Sequence, residues 1–372
     1  MRILSIFGTR PEAIKMAPVV QALQQAEDME SIVCVTGQHR DMLDQVLQIF
    51  AIQPDEDLNL MKPNQSLHEL TARIIQGLQP IFSAHKPDAV LVHGDTTTCL
   101  AASLAAFYSK IPIGHVEAGL RTYNLDAPFP EEGNRQLTDR LSQWCFAPTQ
   151  RAKESLLSER IPENNIFITG NTVIDALLWT KDNLHTFPAV DDIFASAQQV
   201  FAGTAPIILV TGHRRESFGQ GFENICIALQ QIARQHKDVH IVYPVHLNPN
   251  VREPVYRLLQ NTANIHLIPP LDYINFIRLM DRCHLILTDS GGIQEEAPSL
   301  HKPTLVMRDC TERPEGIDAG VVKLVGTNAS SIQKAVSELL ENTDAYTAMS
   351  TAKNPYGDGT TSQQILSILR GR

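Results

Sequence analysis

At 372 residues the chain exceeds what one hydrophobic core ordinarily organises, so two domains are expected, each able to bury a full core. Its 41 acidic and 31 basic residues leave a formal charge of -10, and with no basic run or aromatic-basic interleaving to track a phosphate backbone, nucleic acid is excluded as a partner. Six scattered cysteines without CxxC spacing, an N-terminal apolar run too short for a signal peptide and no bilayer-length apolar stretch point to a reduced cytoplasmic protein without a membrane partner.

From the N-terminus, short β-branched runs alternate with longer helical periods. The predicted strands Ile3–Phe7, Ile32–Thr36, Ala89–His93, Ile111–Val116, Trp144–Ala147 and Ile166–Thr169 read as a βα repeat with a parallel sheet. Their near-continuous apolar character fits strands covered on both faces. After a helical and then loop-like stretch over 171–203 the pattern restarts with Ile207–Thr211, Val239–Pro244, Ile265–Ile268, Leu285–Thr288, Thr304–Met307 and Val321–Val325. The predicted class is therefore α/β, with two doubly wound, Rossmann-like domains facing across a cleft. The first covers 1–170 and the second 171–357. The glycine and proline punctuation of 352–360 breaks the last long helix, and the final helix, within 358–372, is expected to pack back on the first domain.

Ligands of such folds bind where strands end. The first strand runs into Gly8-Thr9-Arg10-Pro11-Glu12-Ala13-Ile14-Lys15, whose proline suits a first helical turn. Arg10 and Lys15 add positive charge to that helix N-terminus, which suits a phosphate oxygen. Pro18 is expected to kink this helix without ending it. Asp95, in His93-Gly94-Asp95-Thr96, should emerge at the same sheet edge as Glu117, and the segment Gly114–Arg135 crowds Glu117, Asp126, Glu131 and Glu132 around a strand exit and a proline-rich loop. Any one of these is an ordinary N-cap or solvated charge; as a set at strand exits, carboxylates push their pKa values apart and serve proton transfer.

In the second half, Thr211-Gly212-His213-Arg214-Arg215-Glu216 leaves the first strand and carries His213 toward the ligand. Leu271 and Phe276, just after the strand ending at Ile268, suit a flat base, although Phe276 fits a core equally well. Asp289-Ser290-Gly291-Gly292 is a strand, turn and helix start whose glycines let backbone amides close on an anion, with Glu296 a turn further on and within reach of a ribose. An N-cap and turn of purely structural purpose is the competing reading. Arg313 leaves another strand end, as an anion contact or a surface ion pair.

These motifs, in this order, resemble the bacterial non-hydrolysing UDP-N-acetylglucosamine 2-epimerases: Gly8-Thr9-Arg10-Pro11-Glu12, His93-Gly94-Asp95-Thr96, His115-Val116-Glu117-Ala118-Gly119-Leu120-Arg121, Phe129-Pro130-Glu131-Glu132, Asn134-Arg135, Gly212-His213-Arg214-Arg215-Glu216 and Asp289-Ser290-Gly291-Gly292. The resemblance implies the glycosyltransferase-B fold, a homodimer, and interconversion of UDP-GlcNAc and UDP-ManNAc through UDP elimination to 2-acetamidoglucal, with no cofactor and no metal. It supplies ManNAc units for cell-surface polysaccharide. By the same resemblance Asp95, Glu117 and Glu131 are the catalytic acids, with His213 supporting the UDP leaving group. Arg10, Lys15, Ser290, Gly291, Gly292 and Arg313 hold the diphosphate and sugar, Leu271 and Phe276 the uracil, and Glu296 the ribose. The segment beginning Gln38-His39 resembles a stretch that helps bind activating UDP-GlcNAc in some members. Three alternatives stand beside this reading: a glycosyltransferase on the same fold, a hydrolysing relative that releases free ManNAc and UDP, and a UDP-sugar sensor without catalysis.

Overall fold

The protein is described by a computed structural model over residues 1–37, 40–60, 62, 65–188, 200 and 203–371. Two compact units emerge, one of Met1–Ala176 with Tyr356–Arg372, the other of Leu177–Pro355.

In the first unit the strands are β1 (Arg2–Phe7), β2 (Glu30–Val35), β3 (Glu56–Asp57), β4 (Ala89–His93), β5 (Ile113–Val116), β6 (Trp144–Ala147) and β7 (Ile166–Ile168). They form one parallel sheet in the order β3-β2-β1-β4-β5-β6-β7. The runs read as strands from their apolar continuity are strands, because helices cover both faces. Every residue of β4 is buried, and on one face Leu4, Ile6, Val90 and Val92 meet Leu70, Ile74 and Leu78 of the helix Leu67–His85. The four-residue spacing of those three side chains lines one helix face, and burying each contributes about 1.5–3 kcal/mol. β3 was not expected from the sequence: a two-residue Glu-Asp strand has no apolar signature and joins through the backbone, with Cys34 opposite Glu56.

The second unit repeats the scheme with β8 (Ile207–Thr211), β9 (His240–Pro244), β10 (Ile265–Ile268), β11 (Leu285–Thr288), β12 (Thr304–Val306) and β13 (Val322–Leu324). Their parallel order is β10-β9-β8-β11-β12-β13. The predicted α/β class with two doubly wound sheets is thus borne out. Strand order reverses between β1 and β4 in one sheet and between β8 and β11 in the other, which opens a crevice at those strand ends.

The helix Arg10–Gln24 starts in a capping box: Thr9 accepts from the Glu12 amide while Glu12 reaches back to the Thr9 amide. Pro18 lies inside this helix, which continues past it. The helix Thr361–Arg370 packs against Arg10–Gln24. Its first turn is capped by Asp175, whose carboxylate accepts from the Ser362 amide at 2.7 Å and the Ser362 hydroxyl at 2.6 Å. No helix among the described residues is long and apolar enough to cross a membrane.

Candidate active site

β4 and β5 are parallel neighbours with His93 opposite Val116, so the residues just beyond them, Asp95 and Glu117, leave the sheet at one edge. Glu117 has φ +69°, a left-handed conformation that non-glycine residues seldom adopt and that persists only where the surroundings impose it. Its Oε2 is anchored by contact with Lys15 Nζ and by the Asn171 side-chain amide, which donates at 2.8 Å. Oε1 accepts no hydrogen bond from the described residues. Burial works to raise the pKa of Glu117, but the charges of Lys15 and His93 outweigh it and hold the carboxyl well below its usual range. Glu117 is therefore an anion at neutral pH.

Asp95 meets the Arg135 guanidinium, and its backbone carbonyl accepts from the Asn134 side chain at 2.8 Å. Arg135 also reaches Glu132 at 3.3 Å. Glu132 is fully buried and accepts from the amides of Thr122 and Tyr123, each at 3.0 Å, and from Gln136. It secures the loop; Asp126, in that loop, is exposed. Glu131 opens the helix Glu131–Leu141, and its Oε2 is buried with no hydrogen-bond partner among the described residues. A buried carboxylate oxygen without a donor invites a ligand. Arg10 stands half-buried at the start of its helix.

Beneath this edge lies a network that the sequence did not reveal. His115 binds Asp139 at 2.6 Å through Nδ1 and donates from Nε2 to the Gly94 carbonyl at 2.7 Å. Asp139 pairs with Arg121 at 2.8 Å, and Arg121 holds Glu159 through two bonds at 2.6 and 2.8 Å. Burial opposes a charged His115, yet the Asp139 carboxylate raises its pKa well above the ordinary value. A cationic His115 thus fixes the Gly94 carbonyl, one residue before Asp95. Glu12 faces inward, where its Oε2 accepts from the Gly8 and Thr9 amides at 3.0 and 2.7 Å. The Thr-x-x-Glu pattern at Thr9–Glu12 was the available signal for that role.

In the second unit Asp289 Oδ2, at the end of β11, accepts from the amides of His213 and Arg214 at 2.7 and 2.8 Å and ties the loop after β8 to the switch point. His213 Nδ1 lies 3.3 Å from Asp289 Oδ1, and its ring stacks on His246 with centroids 5.6 Å apart. Burial, with Arg214 and His246 nearby, lowers its pKa despite Asp289, so the imidazole is neutral at pH 7. The Ser290 amide is spent on Thr288 Oγ1 at 3.0 Å. Gly291 opens the short helix Gly291–Glu296, and a Cβ there would lie 3.1 Å from Glu312 Oε1; Gly292 beside it is exposed. Glu296 is half-buried on this helix. Arg313 pairs with buried Glu295. Leu271 and Phe276, both half-buried, flank the N-cap of the helix Tyr273–Arg282, where Asp272 accepts from Asn275. Gln38 and His39 lie outside the described residues.

The sequence pattern of UDP-N-acetylglucosamine 2-epimerase matches residues 21–370. The chain belongs to this epimerase family. It is 60% identical over 370 residues to the UDP-N-acetylglucosamine 2-epimerase of Yersinia pestis, covering 100% of this chain and 98% of the relative. To the enzyme of the same name from Escherichia coli K12 it is 58% identical, with the same coverage. Among solved structures, UDP-GlcNAc 2-epimerase from Neisseria meningitidis bound to UDP-GlcNAc is 52% identical, covers all of both chains and superposes with a TM-score of 0.86. The Methanocaldococcus jannaschii UDP-GlcNAc 2-epimerase in complex with UDP-GlcNAc and UDP is 34% identical, likewise covers both chains and has a TM-score of 0.78. Arg10 and Lys15 precede the span of the epimerase pattern but fall within these full-length likenesses.

Proposed function

We propose that the chain is a non-hydrolysing UDP-N-acetylglucosamine 2-epimerase, an isomerase that interconverts UDP-GlcNAc and UDP-ManNAc and supplies ManNAc units for cell-surface polysaccharide. One observation carries the reading beyond family membership. Glu117, just beyond β5, is an anion whose Oε1 accepts no hydrogen bond from the described residues, and Glu131, at the start of the helix Glu131–Leu141, carries a buried Oε2 without a partner among them. Inversion at C2 is more easily served by a set of carboxyl groups than by one, since the proton leaves one face and returns to the other.

The C2 hydrogen is not acidic while UDP is in place. As the C1–O bond breaks, its electron pair leaves on the diphosphate and positive charge develops at C1. The C2 proton passes to a carboxylate and its electron pair becomes the C1=C2 bond of 2-acetamidoglucal. Proton return from the opposite face and re-addition of UDP complete the cycle. The reaction begins and ends at one oxidation level and needs no nicotinamide. Asp95 and Glu117 act nearest C2, with Glu131 assisting. His213, neutral and tethered to Asp289, donates to the leaving diphosphate. Arg10, Lys15, Ser290, Gly291, Gly292 and Arg313 take the diphosphate and sugar, Leu271 and Phe276 the uracil, and Glu296 the ribose; Gln38 and His39 contribute to an activator site. The exposed aromatic pair Phe107 and Tyr108, with Leu137 also exposed, supports a homodimer, and the free cysteines support a cytoplasmic location.

Incubating the purified protein with UDP-GlcNAc in heavy water and following it by NMR tests the reading. UDP-ManNAc deuterated at C2 is expected. Free ManNAc with UDP would establish the hydrolysing reaction instead, and unchanged substrate would remove both.

A further inference from the structure

His93, the last residue of β4, has no role in the reaction beyond its electrostatic influence on Glu117. The residue is 3% exposed, and neither ring nitrogen has a hydrogen-bond partner among the described residues. A buried imidazole with both nitrogens unsatisfied is costly and calls for a reason. One polar neighbour is functional: Nε2 lies 3.7 Å from Glu117 Oε2, just beyond bonding distance. That oxygen is already occupied by Lys15 and by Asn171.

Three cationic or donor groups thus converge on one carboxylate oxygen, and Lys15 has the longest side chain of the three. An anion at the N-terminus of the helix Arg10–Gln24 draws the Lys15 ammonium, which the reading above assigns to the diphosphate. Glu117 then loses its strongest tether at the moment its Oε1 must be aimed at C2. We infer that His93 is a positioning residue for the reaction, closing the last ångström onto Glu117 Oε2 through Nε2–H when substrate claims Lys15, and so holding the carboxylate in line for the C2 proton. This rests on the epimerase reading and adds a residue to it. The left-handed backbone at Glu117 fits the same purpose, because a strained residue keeps its aim only under continuous restraint.

The test uses three substitutions in the full chain. In His93→Gln the amide nitrogen lies near the place of Nε2, whereas in His93→Asn it lies near Nδ1 and falls short of Glu117; His93→Phe fills the space with no donor. His93→Gln is expected to keep kcat within about threefold of the wild type, while His93→Asn and His93→Phe lose about tenfold or more, all with KM and UDP affinity little changed. A donor to a carboxylate favours its ionised form. The acid limb of the kcat profile should therefore move to higher pH in His93→Asn and His93→Phe and stay in place in His93→Gln, with Glu12 and Lys15 the other charged groups facing the pair. Equal losses in the Gln and Asn variants, or an unmoved acid limb in His93→Phe, would overturn the assignment. Nitrogen-15 NMR of histidine-labelled wild type needs no variant to fold: UDP-GlcNAc should move one buried ring N–H signal downfield, and a spectrum unchanged at saturation counts against His93. Wild-type protein without any epimerisation would sink the underlying reading as well, whereas wild-type conversion with His93→Phe at full kcat sinks this inference alone.

Discussion

Replacing Asp139 with asparagine removes one charge from beneath the site and leaves its shape. The carboxylate is fully buried, and it faces His115 at 2.6 Å, Arg121 at 2.8 Å and the Gly119 amide at 3.2 Å. An amide keeps one acceptor and turns an NH2 toward a donor, so at least one charge-assisted bond becomes a donor–donor contact. Breaking a buried pair by removing one partner costs about 3–5 kcal/mol. Arg121 retains Glu159, which places the expected loss near the lower end, about 3 kcal/mol. The pH dependence follows from two opposite shifts. Asp139 is depressed, because His115 and Arg121 outweigh the effect of burial, so its contribution is present above its unfolded value of about 3.9 and is lost as pH falls through the folded value. His115 is raised, so its contribution is complete below about 6.5 and is lost as pH climbs through the folded value. The gap between wild type and variant should therefore be widest from about pH 4 to pH 6.5. Urea unfolding at pH 5.5 measures it. Trp144 lies in the first unit and Trp179 in the second, so a Trp179→Phe background leaves fluorescence reporting the unit that holds Asp139. With slopes of about 1–3 kcal/mol per molar, 3 kcal/mol shifts the midpoint by about 1–3 M. A shift under about 0.3 M, or one that does not change between pH 5.5 and pH 9, would refute the reasoning.

Glu117→Gln and Asp95→Asn should each lower both epimerisation and C2 deuterium incorporation by about a hundredfold or more while UDP still binds, and near-normal exchange in either would remove that residue from the chemistry. Arg10→Ala should weaken UDP binding by about 1.5–3 kcal/mol, roughly 10- to 100-fold in Kd by calorimetry, and an unchanged Kd would refute its phosphate role. Gly119→Ala meets two obstacles, φ +88° and a new Cβ 2.4 Å from the Ala152 carbonyl oxygen, so a loss of about 1–3 kcal/mol in thermal unfolding is expected, and wild-type stability would show that the loop yields.

The alternating strands and helices were legible because parallel strands buried on both faces must be apolar throughout, as β4 is. The edge strand β3 had nothing to announce it, being held by backbone pairing alone. Asp95 and Glu117 could be placed at one sheet edge from their position after adjacent strands. What each of them touches could not: Lys15 lies 102 residues from Glu117 and Arg135 lies 40 from Asp95, and no local period links positions so far apart. For the same reason the pairing of His115 with Asp139 was invisible, since a helix and a strand must pack before the two meet. Arg313 shows a residue type with two uses; its sequence neighbourhood permitted either an anion or an ion pair, and only packing brings Glu295 to it.

The chain leaves the first unit at Ala176 and re-enters it at Tyr356, and the two passages lie side by side, with the Asn171 amide on the Tyr356 carbonyl at 2.6 Å. On the ribosome the first unit therefore cannot finish when its own sheet has been made. It waits through the synthesis of roughly 180 further residues, at about 5–20 per second some 10 to 40 seconds, before the helix Thr361–Arg370 arrives to cover Arg10–Gln24 and to satisfy Asp175. Throughout that interval the nascent protein presents an apolar helix face to the cell, and the helix Thr361–Arg370 is the clasp that ends its exposure.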